Sequence, residues 1–103
     1  MIVGGGNTGT RKAETLLSCR AHVTILSPDL SEGLQQLVDK GKVDLIQREY
    51  RRGDLENYFL VIGATNSWAT NELIFREAQE RGILCNVVDS PELCTFFVPA
   101  TVT

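Results

Sequence analysis

Val3-Gly4-Gly5-Gly6-Asn7-Thr8-Gly9 is the stretch whose reading decides the fold. It fits the spacing G-x-G-x-x-G, and a match to that spacing alone says little because glycine is common. Here it follows a short apolar run, Met1 to Val3, and opens a helical stretch from Asn7 to Cys19. In that stretch Ala13, Leu16 and Leu17 recur at helical spacing, with Arg11, Lys12 and Glu14 outward. A glycine turn between strand and helix is the context of a dinucleotide-binding loop. On this reading Gly4 permits the tight turn. Gly6 lets a pyrophosphate approach the backbone, and Gly9 lets the helix pack close to the strand. The helix start then offers free N–H groups and the positive end of its dipole to phosphate. The competing reading is a glycine-rich turn with no ligand.

Working outward, strands alternate with helices. Ala21 to Leu26 reads as a β-branched strand broken by Ser27-Pro28-Asp29, and Leu30 to Lys40 as a helix stopped at Gly41. Lys42 to Arg48 is a half-polar strand, with Val43, Leu45 and Gln47 on one side and Asp44 and Ile46 on the other. That suits a position near a sheet edge. Arg51 to Asp54 is a loop. Tyr58 to Ala64 is a continuous apolar strand, as expected when a parallel strand is covered on both faces. Asn66 to Arg81 is a third helix ended by Gly82. Ile83 to Val88 is a buried strand, Asp89-Ser90-Pro91 a turn, and Cys94 to Val98 a short last strand. The fold class is therefore α/β: a Rossmann-like, doubly wound, mostly parallel sheet with helices on both faces. Spacing does not fix the strand order.

At 103 residues the chain is one domain at the small end for this fold. Ten basic against thirteen acidic residues, a net charge of −3, lack the basic footprint of a nucleic-acid binder. The longest apolar run, Phe59 to Ala64, is too short to span a bilayer. Cys19, Cys85 and Cys94 form no C-x-x-C pair, and one histidine is too few for a usual zinc site. An odd cysteine count without a signal peptide points to reduced thiols in a cytoplasmic protein. Only three residues precede the glycine run and the chain stops in apolar sequence, so a longer parent protein, with more strand upstream, is expected.

The acid that usually binds the cofactor ribose lies about 20 residues past the loop. Asp29 is the candidate, beyond Pro28, and the Ser27 hydroxyl could serve the same ribose. No Arg or Lys lies between Ser27 and Leu37 to hold a 2′-phosphate, which favours NAD over NADP.

Beyond the loop, Arg11-Lys12, Val23-Thr24 with Ser27-Pro28, Ala64-Thr65 with Asn71, and Cys85-Asn86-Val87-Val88-Asp89 with Pro91, Phe96 and Pro99 complete a pattern along nearly the whole chain. It resembles the N-terminal domain of siroheme synthases and the related precorrin-2 dehydrogenases. The most specific part is N-V-V-D-x-P followed by F-x-x-P. The resemblance implies oxidation of precorrin-2 to sirohydrochlorin with reduction of NAD, and in some members insertion of ferrous iron. It implies a catalytic role for Asp89 and NAD contacts from Asn7, Thr8 and Ser27 to Asp29. It implies a homodimer in the full-length protein, through a segment that this chain lacks. Relatives often carry Ala at Gly9, and either small residue is expected to serve helix packing.

Asp89 follows an apolar strand, so it belongs at the carboxyl edge of the sheet, where open α/β folds bind ligands. A carboxylate there can take a proton while hydride leaves for the nicotinamide. The alternative is a turn-initiating Asp. Thr65 ends the fourth strand at the same edge and is a candidate cofactor contact, or else starts the next helix with Asn66. Asn71 is as readily a cap for nearby backbone, and Asn86 a buried structural amide. Arg11 and Lys12 are candidates for substrate carboxylates or simply an exposed face. Arg48, Arg51 and Arg52 read as solvated loop, His22 as surface, Cys85 as core and Trp68 as packing. The competing function is a non-catalytic NAD(H)-sensing module. Such a module is expected to carry an acid directly ending the second strand, where this chain has Ser27.

Overall fold

Each strand alternates between two cores, and that alternation places helices on both sides of the sheet. A computed structural model of the chain describes residues 1–88. Its elements are β1 (Ile2–Val3), α1 (Asn7–Ser18), β2 (Thr24–Leu26), α2 (Glu32–Asp39), β3 (Asp44–Ile46), β4 (Leu60–Gly63), α3 (Trp68–Arg81) and β5 (Leu84–Val87). The five strands form one parallel sheet in the order β3-β2-β1-β4-β5. Ile2, Ile25 and Ile62 point to one face and pack with Ala13 of α1 and Leu34 of α2. Met1, Val3, Leu26, Val61, Cys85 and Val87 point to the other and pack with Ile74 and Ala78 of α3. This period of two is what buries a parallel strand on both faces.

The fold class agrees with the sequence reading, and β3 does sit at the sheet edge. Val43 and Leu45 join the first core while Ile46 joins the second, as the alternation predicts. The second and third helices begin two residues later than expected, because Ser31 and Ser67 cap them by accepting from the N–H groups of Leu34 and Thr70. Gly82 ends α3 at φ 69°, a left-handed position that glycine adopts without cost. The last expected strand, Cys94 to Val98, lies outside the described residues.

Between β3 and β4 the chain crosses without a helix. Residues 48–57 form a series of turns that seats Leu55, fully buried, in the core beneath α3. The backbone N–H groups of Gly53 and Leu55 donate instead to the Glu77 carboxylate on α3, at 3.0 and 3.2 Å. Tyr50 Oη also donates to Glu77, and Arg81 Nε closes the set at 2.7 Å. Burial works to raise the Glu77 pKa, but these four donors outweigh it and hold the carboxyl below its usual value. Burial, followed by that same hydrogen bond, pushes the Tyr50 phenol upward. Arg48 is not a free loop cation: it grips Asp54 with both guanidinium nitrogens, at 2.7 and 2.6 Å.

Candidate dinucleotide site

β1 pairs with β2 on one side and β4 on the other, so the chain winds away from it in both directions. The crevice above such a switch point, at the carboxyl ends of the strands, is where open α/β sheets bind ligands. A cleft of about 730 Å³ lies there. Three loops wall it: Val3–Thr8, Leu26–Ser31 and Ala64–Ser67, with Glu49, Tyr50 and Thr70 completing the lining.

The three consecutive glycines serve three different purposes. Gly4 has φ 124°, and a Cβ there would stand 2.4 Å from the Ala64 carbonyl oxygen. A Cβ at Gly5 would stand 1.8 Å from the Asp29 carbonyl oxygen, the tightest approach of any glycine in the chain. At Gly6 a Cβ would meet nothing within 4 Å, so its face is open to the cleft. The first two thus let neighbouring loops close onto the glycine turn, and the third leaves room for a ligand. Gly5 is the position that the motif spacing passes over; the uninterrupted run of three glycines was the available signal. At Gly9 an added Cβ would stand 2.6 Å from the Gly4 carbonyl oxygen. That corrects the expected equivalence of Gly and Ala at this position: in this chain an alanine would force the loop to shift.

α1 differs from the other two helices at its start. Its N-cap is Gly6, which brings no side chain to the first turn, whereas α2 and α3 are each capped by serine. The first backbone bond into α1 is from Thr10 N–H to the Gly6 carbonyl. The N–H groups of Gly6, Asn7, Thr8 and Gly9 have no partner among the described residues. All four sit at the positive end of the helix dipole, and those of Gly6, Asn7 and Thr8 also line the cleft, the arrangement that binds phosphate. Among the described residues no Lys or Arg lines the cleft, while Asp29 and Glu49 do. Neutral donors are therefore what this cleft offers an anion: main-chain amides with the Asn7 and Thr8 side chains beside them, a set that fits the diphosphate of a dinucleotide.

The structure brings Gly4, Gly6, Asn7, Thr8, Ser27, Pro28, Asp29 and Thr65 together around the cleft. Gly9 stands behind it, and Asp89 lies outside the described residues. The Ser27 hydroxyl donates to the Asp29 carbonyl at 2.6 Å and so shapes its own turn. Pro28 and the exposed Asp29 form the outer lip, tied to the end of β3 by Gln47 Nε2 to the Pro28 carbonyl at 3.3 Å. The Thr65 hydroxyl donates to Asn71 Oδ1 at 2.6 Å and accepts from the Ser67 N–H. Asn71, 7% exposed, also donates to the Thr65 carbonyl and accepts its N–H. Asn71 therefore holds backbone, as one of its two readings had it. Arg11 and Lys12 do not line the cleft. Trp68, expected to pack, is instead 58% exposed at the first position of α3. His22 lies on the surface against Asp44, and Cys85 is in the core.

The crevice, the glycine turn and the uncapped helix define a dinucleotide-binding domain of the Rossmann type. A family model described as "Putative NAD(P)-binding" matches residues 1–100, and the chain belongs to that family. Among its relatives are a siroheme synthase from Photobacterium profundum, 35% identical over 102 residues, and siroheme synthase 1 from Aeromonas hydrophila, 40% identical over 102. Each match covers 99% of this chain and 22% of the relative. A solved structure named "SirC, precorrin-2 dehydrogenase" superposes with a TM-score of 0.86 at 26% identity, over 99% of this chain and 50% of that one. These findings agree with the resemblance drawn from the sequence and support NAD as the cofactor. The chain spans about a fifth of the length of the siroheme synthases it matches. No helix among the described residues is long and apolar enough to cross a membrane.

Proposed function

We propose that this chain is the NAD-binding part of a precorrin-2 dehydrogenase acting in siroheme biosynthesis. The observation that carries the reading is the start of α1, where no side chain caps the helix and unpartnered amides open onto a cleft with no Lys or Arg among its described lining residues. The siroheme synthase relatives and the precorrin-2 dehydrogenase neighbour supply the substrate class.

NAD, when bound, accepts hydride from the substrate. The amides of Gly6, Asn7 and Thr8 would hold its diphosphate, and Ser27 to Asp29 would flank the adenine ribose. Thr65, fixed by Asn71, forms the opposite wall. β5 runs parallel to β4, with Val87 level with Gly63 and Gly63 level with Val3. Val88 thus leaves the sheet at the edge that carries the glycine turn. Asp89, the next residue, is in this reading the base that takes the proton as hydride departs. Iron insertion, which the resemblance also carries, has no cluster of metal-ligating side chains among the described residues, and the proposal stops at dehydrogenation.

Asp89→Asn in the intact protein tests the reading against an NAD-sensing module. NADH formation from precorrin-2 is expected to fall at least about a hundredfold, the usual scale for removing a general base, with NAD affinity changed less than about threefold. Full turnover in that variant would remove Asp89 from the mechanism. NAD binding without any turnover by the unaltered protein would leave the sensing module.

A further inference from the structure

Two hydroxyls beside the glycine turn join the helices that flank it. Thr10 Oγ1 and Ser31 Oγ lie 2.6 Å apart, joining α1 to the start of α2. Each belongs to a residue that also holds a carbonyl of the glycine turn. The Ser31 N–H donates to the Gly5 carbonyl at 2.6 Å. The Gly6 carbonyl accepts from both Thr10 Oγ1, at 2.9 Å, and Thr10 N–H, at 3.0 Å. Ser31 Oγ in addition caps α2 through the Leu34 N–H. Room for the junction comes from Gly33, where a Cβ would stand 2.9 Å from the Thr10 methyl.

A trans peptide is planar, so its C=O and N–H point in opposite directions. Holding the Gly5 carbonyl against Ser31 turns the Gly6 N–H away from α2. Holding the Gly6 carbonyl against Thr10 turns the Asn7 N–H away from the body of α1. Both amides then face out of the turn, unpartnered. We propose that the Thr10–Ser31 hydroxyl pair is a latch that aims the Gly6 and Asn7 amides at the cofactor diphosphate. Thr10 and Ser31 are positioning residues: neither needs to touch the cofactor. Pre-aimed donors bind more tightly because the ordering cost is met before the ligand arrives.

The inference rests on the NAD-binding reading. Its test is a double-mutant cycle of Thr10→Val and Ser31→Ala in the intact protein, with NAD, ADP and adenosine as the titrants. Each single change should raise the dissociation constants of NAD and ADP about five- to tenfold, the scale of one hydrogen bond. Adenosine, which has no diphosphate, should bind as before. The double variant should be little worse than the weaker single, because the two hydroxyls act as one device. Thr10→Ser should restore binding. In turnover the KM for NAD should rise while kcat at saturation holds. Variants that melt earlier yet bind NAD and ADP like the unaltered protein would overturn the latch and leave the dehydrogenase reading standing. Failure of the unaltered protein to bind NAD would overturn both.

Discussion

Two regions of this molecule face the same problem, backbone N–H groups with no helix or strand partner, and meet it in opposite ways. In the crossing of residues 48–57, Gly53 and Leu55 are answered from within, by the carboxylate of Glu77. At the start of α1, the amides from Gly6 to Gly9 are answered by nothing in the described chain. At the first place the chain supplies the anion itself; at the second, in the proposed reading, a ligand brings it. A buried amide without a partner costs free energy, so the internal anion is a stabilising device. The amides of Gly6, Asn7 and Thr8 belong to exposed residues, where water meets them at little cost until a ligand replaces it. Stability and binding are therefore separable here by design of the fold.

The largest expected effect is at Glu77. Glu77→Ala removes four hydrogen bonds around a side chain that is 1% exposed. It should cost about 3–5 kcal/mol in denaturant unfolding, the range for breaking a buried charged network. The lowered pKa adds a pH signature: stability from Glu77 is present above its ordinary value of 4.5 and is lost as pH falls through the depressed folded value. Glu77→Ala should flatten that acid limb. A loss below about 1 kcal/mol would show that the crossing holds itself together and would break the comparison.

The next contrast lies within the glycine run. Gly5→Ala collides with the Asp29 backbone and should both destabilise, by about 1–3 kcal/mol, and weaken NAD binding. Gly6→Ala meets no atom of the chain, and its φ of −84° suits alanine. It should change stability by less than about 1 kcal/mol while raising the NAD dissociation constant at least about tenfold. Equal effects of the two on stability would deny that Gly6 is reserved for a ligand. Calorimetric titration beside thermal melts decides it.

What could be read without coordinates follows the same division. The helices, the strands and most of their covered faces were legible, because side-chain periodicity records burial directly; Phe59, expected in a covered strand, is instead 78% exposed just before β4. The role of Gly82 was legible too, since a left-handed helix end favours one residue type. The strand order was not, because spacing carries no record of which strand a crossover returns to. Glu77 gave no signal: among the charges of α3 it looks like any solvent-facing acid, and its decisive partners are main-chain groups 22 and 24 residues earlier. Gly5 was hidden for the same reason, its constraint being the carbonyl of Asp29. Ser31 could have been found as a helix cap, though not its reach to Thr10.

The grip proposed for Gly6 to Thr8 rests on main-chain amides, and this has a practical consequence. A survey that trims residues one by one would pass over them, since shortening the Asn7 or Thr8 side chain leaves its N–H in place. Only added atoms can expose it. For the same reason the residues around the lip could change size or sign in related chains, leaving the nucleotide's hold intact as long as three neighbouring places stay bare.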